Sequence, residues 1–140
     1  GGLAPLLERH RIDVVVHLAA IVNPGRDHEL EYRVDVDGTR HVLEACVTAG
    51  VRRIVVSSSG AAYGYHADSP EWLRETDPVR GSDEFPYSRH KRLVEDMLAR
   101  SRAERLERPG QLEVAARVER DEDAAERLAA IAVADEGARA

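Results

Sequence analysis

Two short runs of β-branched residues, separated by a helical pattern, constrain the fold of this 140-residue chain more than any other feature. Residues 12–18 are apolar except at two positions, and residues 51–57 are centred on Ile54, Val55 and Val56. Continuous apolar runs of this length are typical of buried parallel strands. Two such strands joined by a helix form a right-handed βαβ crossover. The sequence therefore predicts an α/β fold, a partial Rossmann-like, doubly wound parallel sheet.

Between the two runs, residues 28–49 follow a helical pattern. Apolar or small residues recur at every fourth position and predict a buried stripe of Leu30, Val34, Gly38, Val42 and Cys46. Gly50 is placed to end this helix. Cys46 is interpreted as a small buried hydrophobic residue.

Composition and charge exclude several classes of protein. The chain has a formal net charge of -6 and no cluster of basic residues interleaved with aromatic ones, which argues against nucleic acid as the main partner. A single cysteine excludes an internal disulfide framework and fits a reducing compartment. The sequence contains neither an apolar run long enough to span a membrane nor a signal segment at its start, so we expect a cytoplasmic protein without a membrane partner.

Small and hydroxylated residues follow the two predicted strands. Ala19 and Ala20 come after the first strand, and Ser57, Ser58 and Ser59 end the second. The carboxyl ends of parallel strands meet at one edge of the sheet, and ligands bind at that edge in open α/β sheets. Serines at strand ends are also ordinary turn residues, which is the simpler interpretation of these three taken alone.

A phenol and an ammonium group lie one helical turn apart in the C-terminal half of the chain. Tyr87 and Lys91 share one face of a predicted helix, and Val94 and Leu98 continue that face towards the core. A cation at ~4 Å in an effective dielectric of ~20 lowers a phenol pKa by roughly three units, from about 10 to near 7. A general base works best there. A Tyr/Lys pair at this spacing also occurs by chance, without any catalytic role.

Long irregular and helical segments complete the chain. Residues 60–85 form a connection of a length that is uncommon unless functional, and we expect Trp72 and Leu73 to pin it to the body. Pro86 fits the first turn of a helix that runs to about residue 108. Residues 112–118 are a weaker strand, and an alanine- and charge-rich helical tail follows.

Five short motifs follow one another between residues 12 and 98. They are Val16-His17-Leu18-Ala19-Ala20, Tyr32-Arg33-Val34-Asp35-Val36-Asp37-Gly38-Thr39, Leu43-Glu44-Ala45, Ser57-Ser58-Ser59 with Tyr63-Gly64, and Tyr87-Ser88-Arg89-His90-Lys91. No single motif is decisive. In this order and spacing, however, the chain resembles the extended short-chain dehydrogenases/reductases, the NAD-dependent epimerase/dehydratase family.

The resemblance implies a catalytic set and a cofactor. Tyr87 would be the acid/base, Lys91 would hold the ribose hydroxyls and lower the phenol pKa, and Ser59 would hydrogen-bond the reacting oxygen. The residues implied in binding NAD or NADP are Leu18, Ala19, Ala20, Asp35, Ser57, Tyr87 and Lys91. The histidines His17, His41 and His90 lack metal-ligand spacing and are interpreted as structural or surface residues, so no metal site is predicted.

Departures from the family pattern lead to further expectations. The glycine-rich phosphate loop is not seen, Asp35 replaces the usual asparagine, and an acidic tail follows Arg117. We therefore expect an internal fragment without the N-terminal loop and the C-terminal substrate domain. Residues 1–110 would form a partial NAD(P)-binding domain carrying the catalytic motifs, and residues 111–140 a weak strand plus the low-complexity tail.

The resemblance also limits the reaction. Dehydratases of the family carry Thr-Asp-Glu where this chain has serines, which disfavours elimination and leaves epimerisation and simple oxidoreduction open. The expected substrate is a hydroxyl/ketone compound such as a nucleotide sugar, and the full-length form would be a homodimer. The alternatives are a non-catalytic remnant and an NADP-sensing regulatory protein, and we expect the fragment alone to be inactive.

Overall fold

The structure, a computed structural model, describes residues 2–22, 25–107 and 112–117. Four helices and three strands alternate along this part of the chain. In order they are α1 (Leu3–Arg9), β1 (Val14–His17), α2 (His28–Tyr32), a π-helical turn (Arg33–Asp37), α3 (Gly38–Thr48), β2 (Arg53–Ser57), a 3₁₀ turn (Gly60–Tyr63), α4 (Pro86–Glu107) and β3 (Glu113–Arg117).

The three strands form one parallel sheet in the order β1-β2-β3. The register places Ile54 in the middle strand between Val15 and Val114. Each connection between neighbouring strands contains a helix, as is usual for crossovers between parallel strands. This architecture confirms the predicted α/β class with a parallel sheet.

The core lies on one face of this sheet. Ile54, Val56 and Val114 alternate along β2 and β3 and are buried in the cluster that also contains Leu43 and Leu98. Side chains alternate between the two faces of a strand, so the intervening positions point away from the helices. The helices and the sheet together bring the carboxyl ends of β1 and β2 beside the start of α4.

The first strand differs from the prediction in its burial. Val14 and Val16 are 42% and 59% exposed, although their run was expected to be a buried strand. Both residues lie on the face opposite the core, and no element in the described residues covers that face. The β-branched pattern therefore predicted the strand correctly but could not show which face is covered.

The buried stripe of the central helix is also displaced from the prediction. Leu30 is exposed, Val34, Gly38 and Val42 are only partly buried, and Cys46 is the one fully buried member of the predicted stripe. The observed stripe contains Glu31, Asp35, Thr39, Leu43 and Cys46. The observed stripe keeps the four-residue spacing of the predicted one but is shifted by one position from Glu31 to Leu43. Three of the buried side chains are polar, so an apolar pattern could not register them.

The long connection is held by its backbone rather than by large side chains. Trp72 is 72% exposed and Leu73 is also exposed, so the expectation that they pin this segment was wrong. Instead, the Gly81 amide donates to the Ala62 carbonyl at 2.9 Å, and the Gly81 carbonyl lies 2.7 Å from His66 Nε2. These contacts fix the connection against the 3₁₀ turn that follows β2.

The C-terminal elements agree with the sequence as far as the structure describes them. Helix α4 begins at Pro86 and buries Lys91, Val94 and Leu98, as the periodicity predicted. Strand β3 falls within the weaker strand prediction at residues 112–118. The predicted helical tail lies outside the described residues, so the two-part division of the chain stays a prediction.

Candidate active site

The site begins at the carboxyl end of β2, where Ser59 starts the 3₁₀ turn. The Ser59 side chain accepts a hydrogen bond from the Ala61 amide at 3.2 Å. A serine in this capping position satisfies a backbone donor that the turn would otherwise leave free. The hydroxyl is therefore fixed directly beyond the strand, as expected for a group that meets a ligand at this edge of the sheet.

Helix α4 presents Tyr87 and Lys91 to the same space. Lys91 Nζ lies over the Tyr87 ring, 5.5 Å from its centroid, and donates a hydrogen bond to the Ser57 carbonyl at 3.3 Å. The Ser59 hydroxyl lies near the Tyr87 phenol and acts to lower its pKa. The structure thus brings Ser59, Tyr87 and Lys91 together across the end of β2.

The electrostatic environment of Tyr87 differs from the sequence argument. Burial raises the pKa of the Tyr87 phenol above its ordinary value, and the neighbouring Ser59 hydroxyl only partly offsets that effect. The charges of Asp35 and Tyr65 raise the pKa further. The expected lowering by Lys91 is not seen because the ammonium lies over the ring face and desolvation of the phenolate dominates.

Lys91 is an enclosed ammonium group. Lys91 is only 6% exposed to solvent. Burial lowers the pKa of Lys91, whereas the carboxylates of Asp35 and Glu95 act to raise it. Lys91 is also the only lysine in the sequence, in which every other Lys or Arg position is arginine. That compositional signal singles out this position independently of its spacing from Tyr87.

A narrow cleft collects most of the predicted cofactor-binding residues. Ala19, Ala20, Asp35, Ser57 and Lys91 line it together with His17, Thr39, Val56 and Val94. Leu18, by contrast, is 67% exposed and is not part of this lining. The structure therefore groups five of the predicted cofactor residues in one cleft, with Tyr87 beside Lys91 and Leu18 outside it.

Asp35 and His90 form a buried pair next to this cleft. Asp35 Oδ1 accepts a hydrogen bond from the Ile21 amide at 2.7 Å. Asp35 Oδ2 lies 3.5 Å from His90 Nδ1. Sequence reasoning treated His90 as a structural or surface residue, but its side chain is enclosed and packs edge-to-face against the Tyr32 ring at 5.6 Å between centroids. Its place just before Lys91 on the buried face was the available signal.

A larger cavity of about 310 Å³ lies away from these groups. It is lined by Ala62, Tyr63, Glu75, Val79, Glu95, Arg102 and Ala115. None of the predicted catalytic residues borders it, whereas Lys91 lines the narrower cleft.

Two further structural findings concern metals and membranes. Within residues 2–22, 25–107 and 112–117, no group of three or more His, Cys, Asp or Glu side chains is arranged to hold a metal ion. Among the helices in the described part of the chain, none has the length and apolarity to cross a bilayer.

Comparison with known proteins gives a consistent result. Residues 2–109 match the model of the NAD dependent epimerase/dehydratase family. UDP-glucose 4-epimerase from Erwinia amylovora is 37% identical over 99 residues, which cover 69% of this chain and 28% of the relative. The chain thus spans less than a third of that relative's length.

Solved structures show the same likeness. UDP-glucose-4-epimerase from Stenotrophomonas maltophila, with bound NAD and formylated UDP-arabinopyranose, matches with a TM-score of 0.65 and 32% identity over 81% of this chain and 32% of that one. MoeE5 in complex with UDP-glucose and NAD matches with a TM-score of 0.62 and 34% identity over 81% of this chain and 36% of that one. At 32% and 34% identity, both structures resemble this chain in sequence as well as in fold.

Proposed function

The chain belongs to the NAD dependent epimerase/dehydratase family. On that premise we propose that it is part of an NAD(P)-dependent epimerase or oxidoreductase that acts on the hydroxyl/ketone pair of a nucleotide sugar. The similar proteins named above support this substrate class, since two are UDP-glucose 4-epimerases and two were solved with NAD and a UDP-sugar. They are about three times as long as the part they share with this chain, so activity and substrate are proposals here.

One observation carries the proposal: Ser59, Tyr87 and Lys91 converge at the carboxyl end of β2. The Lys91 ammonium lies over the Tyr87 ring, and the Ser59 hydroxyl lies beside the Tyr87 phenol. A hydroxyl, a phenol and an ammonium are the groups that proton transfer at a carbinol or ketone oxygen requires.

The donor set in the cleft fits a nicotinamide cofactor. Lys91 offers a buried ammonium and Tyr87 a phenol for the hydroxyls of a ribose, and Ala19 and Ala20 line the cleft with small side chains. NAD(P), when bound, supplies a hydride acceptor or donor. We propose that Lys91 and Tyr87 hold its ribose and that Ala19, Ala20, Ser57 and Asp35 border it.

The residues of this chain would then divide the proton chemistry among them. Ser59 orients the reacting oxygen through its hydroxyl, which the Ala61 amide holds in place. Tyr87 Oη gives a proton to a ketone oxygen or takes one from a hydroxyl. Because burial raises its pKa, the free phenol is protonated at neutral pH and is set to donate first. Lys91 then favours the resulting phenolate with its positive charge.

Substitution of the phenol tests the assignment. In a protein with measurable conversion of UDP-glucose, Tyr87→Phe should lower the turnover number by about 10²–10⁴-fold, the usual contribution of acid/base catalysis. The exposed Tyr65→Phe serves as the matched control and should retain near wild-type turnover. If Tyr87→Phe lowers turnover by less than about tenfold, the assigned base is wrong.

A second candidate, cofactor binding without turnover, is favoured by the raised pKa of Tyr87. A phenol that holds its proton tightly is a poor base. Isothermal titration of the 140-residue chain with NAD and with NADP separates the possibilities. Micromolar binding argues against a non-catalytic remnant. Binding whose Kd is unchanged by Tyr87→Phe favours a cofactor sensor, because the proposed enzyme uses this phenol to hold the cofactor ribose.

A further inference from the structure

Lys91 poses a charge problem that its own hydrogen bond does not solve. Its ammonium is enclosed and donates to one backbone carbonyl, that of Ser57, at 3.3 Å. Burying an ammonium group is costly unless an opposite charge compensates it. A compensating carboxylate should therefore lie close to Lys91 and be enclosed with it.

Asp35 is an enclosed carboxylate on the same cleft, although it forms no direct ion pair with Lys91. It lines the same narrow cleft as Lys91, and its side chain is only 2% exposed. Its two oxygens have different neighbours. The Ile21 amide, just after β1, donates to Oδ1 at 2.7 Å, and His90 Nδ1 lies 3.5 Å from Oδ2. The carboxylate is thus held between the end of β1 and helix α4.

We propose that Asp35 is the counter-ion of Lys91, and that His90 is the positioning residue that holds the Asp35 carboxylate in place. His90 does so as a neutral imidazole whose Nδ1 lies 3.5 Å from Oδ2 without a formed hydrogen bond, and we expect its proton on Nδ1. This arrangement makes the cleft electrically balanced, with one buried ammonium and one buried carboxylate. It deepens the proposed function, on which its catalytic consequence rests: a lysine kept protonated in the interior can hold the cofactor ribose and favour the Tyr87 phenolate.

The charges around the two groups are consistent with this protonation pattern. Asp35 from the π-helical turn and Glu95 from α4 act to raise the pKa of Lys91, against the effect of burial. Burial and Arg89 lower the pKa of His90, whereas Asp35 and Glu31 act to raise it, and the net direction is downward. Burial and the charge of Lys91 also lower the pKa of His17. Both histidines are therefore neutral at neutral pH.

Asp35 stands at a position where the family usually has asparagine, and the two side chains differ here in charge rather than in their ability to accept a hydrogen bond. An asparagine could accept the Ile21 hydrogen bond through its amide oxygen, so that contact alone does not require a carboxylate. The negative charge has a separate role only if it acts on Lys91. Asp35→Asn therefore separates the two contributions, since it keeps the acceptor and removes the charge.

The single lysine makes the test direct. The 140-residue chain grown with isotopically labelled lysine gives one side-chain resonance, that of Lys91, whose pKa is read from an NMR pH titration. Asp35→Asn should lower the pKa of Lys91 by about one unit or more. The control is Asp37→Asn, which neutralises a carboxylate of the same turn that pairs instead with Arg40 at 2.8 Å. It should leave the Lys91 titration unchanged. Equal pKa values for Lys91 in the wild-type and Asp35→Asn chains would overturn the proposal.

A double variant keeps the test decisive if Asp35→Asn fails to fold. Removing one member of a buried charge pair leaves the other unpaired, whereas removing both does not. Asp35→Asn/Lys91→Met should therefore be more stable to urea than Asp35→Asn, and a double variant that is no more stable contradicts the counter-ion role. The positioning role of His90 is tested by its imidazole resonances. A neutral ring with the proton on Nδ1 is expected, and a ring protonated on Nε2 would refute it.

None of these measurements uses a cofactor or turnover. A chain in which Lys91 responds to Asp35→Asn but which binds neither NAD nor NADP would defeat the proposed function and leave the counter-ion pair standing. The converse result, binding of NAD with an unresponsive Lys91, would retain the proposed function and defeat the pair.

Discussion

The ammonium of Lys91 lies over the aromatic face of Tyr87, with Nζ 5.5 Å from the ring centroid. A cation in this position interacts with the negative face of the ring quadrupole. It does not form the short contact to the phenolic oxygen that the helical spacing alone suggested. The interaction therefore fixes the two side chains relative to each other but does not by itself activate the phenol.

The titration of Tyr87 should reflect this geometry. Burial raises the pKa of the Tyr87 phenol, so in the free chain it should ionise above pH 10. The measurement is the difference between ultraviolet pH titrations of the wild-type and Tyr87→Phe chains, which isolates this one phenol. A pKa of about 9 or lower in that difference would show that Lys91 already activates the phenol without a ligand.

Ser88 should be essential for keeping Tyr87 opposite Ser59. Its fully buried hydroxyl donates to the Ala61 carbonyl at 2.6 Å and accepts from the Ser82 amide at 2.9 Å. Ser88→Ala leaves both buried backbone groups without that partner, so we expect a loss of about 1–3 kcal/mol in the free energy of unfolding. Urea denaturation measures it. Ser101→Ala, on the same helix and only partly buried, is the control, and equal losses for the two variants would argue against the bridging role.

The parts of this site that could be predicted from the sequence are those set by regular periodicity. The face formed by Tyr87, Lys91, Val94 and Leu98 follows undisturbed α-helical spacing, and the structure buries Lys91, Val94 and Leu98 as predicted. The strands were likewise recognisable because β-branched runs have few alternative structures. Local pattern was sufficient wherever the backbone stayed regular.

The remainder depended on contacts between distant residues. Glu31, Asp35 and Thr39 face inward on the helical segment that contains the π-helical turn Arg33–Asp37, and no apolar period marks polar side chains that are buried. The partner of His90 could not be assigned for the same reason, because Asp35 is 55 positions earlier in the chain. The sign of the pKa change at Tyr87 required knowing how deeply the phenol is buried.

Gly64 should be much less tolerant of alanine than Gly50, although both have positive φ angles, 84° and 68°. A Cβ at Gly64 would collide with the backbone of Gly81, whereas one at Gly50 meets nothing within 4 Å. With ψ at 176°, Gly64 also occupies a region that is essentially reserved for glycine. We expect Gly50→Ala to cost about 1 kcal/mol in unfolding free energy.

For Gly64→Ala the strain and the collision add, and we expect a loss of about 3 kcal/mol or more. Urea unfolding of the two variants gives the comparison directly. If both lose the same stability, the close contact between Gly64 and Gly81 does not hold the connection in solution.

Stability should fall as the pH drops below 6.5, and His90 should be one source of the decline. Burial lowers the pKa of His90 below its ordinary value of 6.5, so the unfolded chain binds its proton more readily than the folded one. The stabilisation from the neutral imidazole is therefore complete above that value and is lost as the pH falls through the lower folded pKa. The slope reaches at most about 1.4 kcal/mol per pH unit for one proton.

His90→Gln should flatten the dependence of unfolding free energy on pH between about 7 and 5.5, where carboxylates contribute little. His17 retains its own contribution in that variant, since the pKa of His17 is also lowered by burial. The exposed His41→Gln is the matched control and should reproduce the wild-type slope. An unaltered slope in His90→Gln would mean that His90 takes up its proton as easily in the folded chain as in the unfolded one, and that its enclosure beside Asp35 is not maintained in solution.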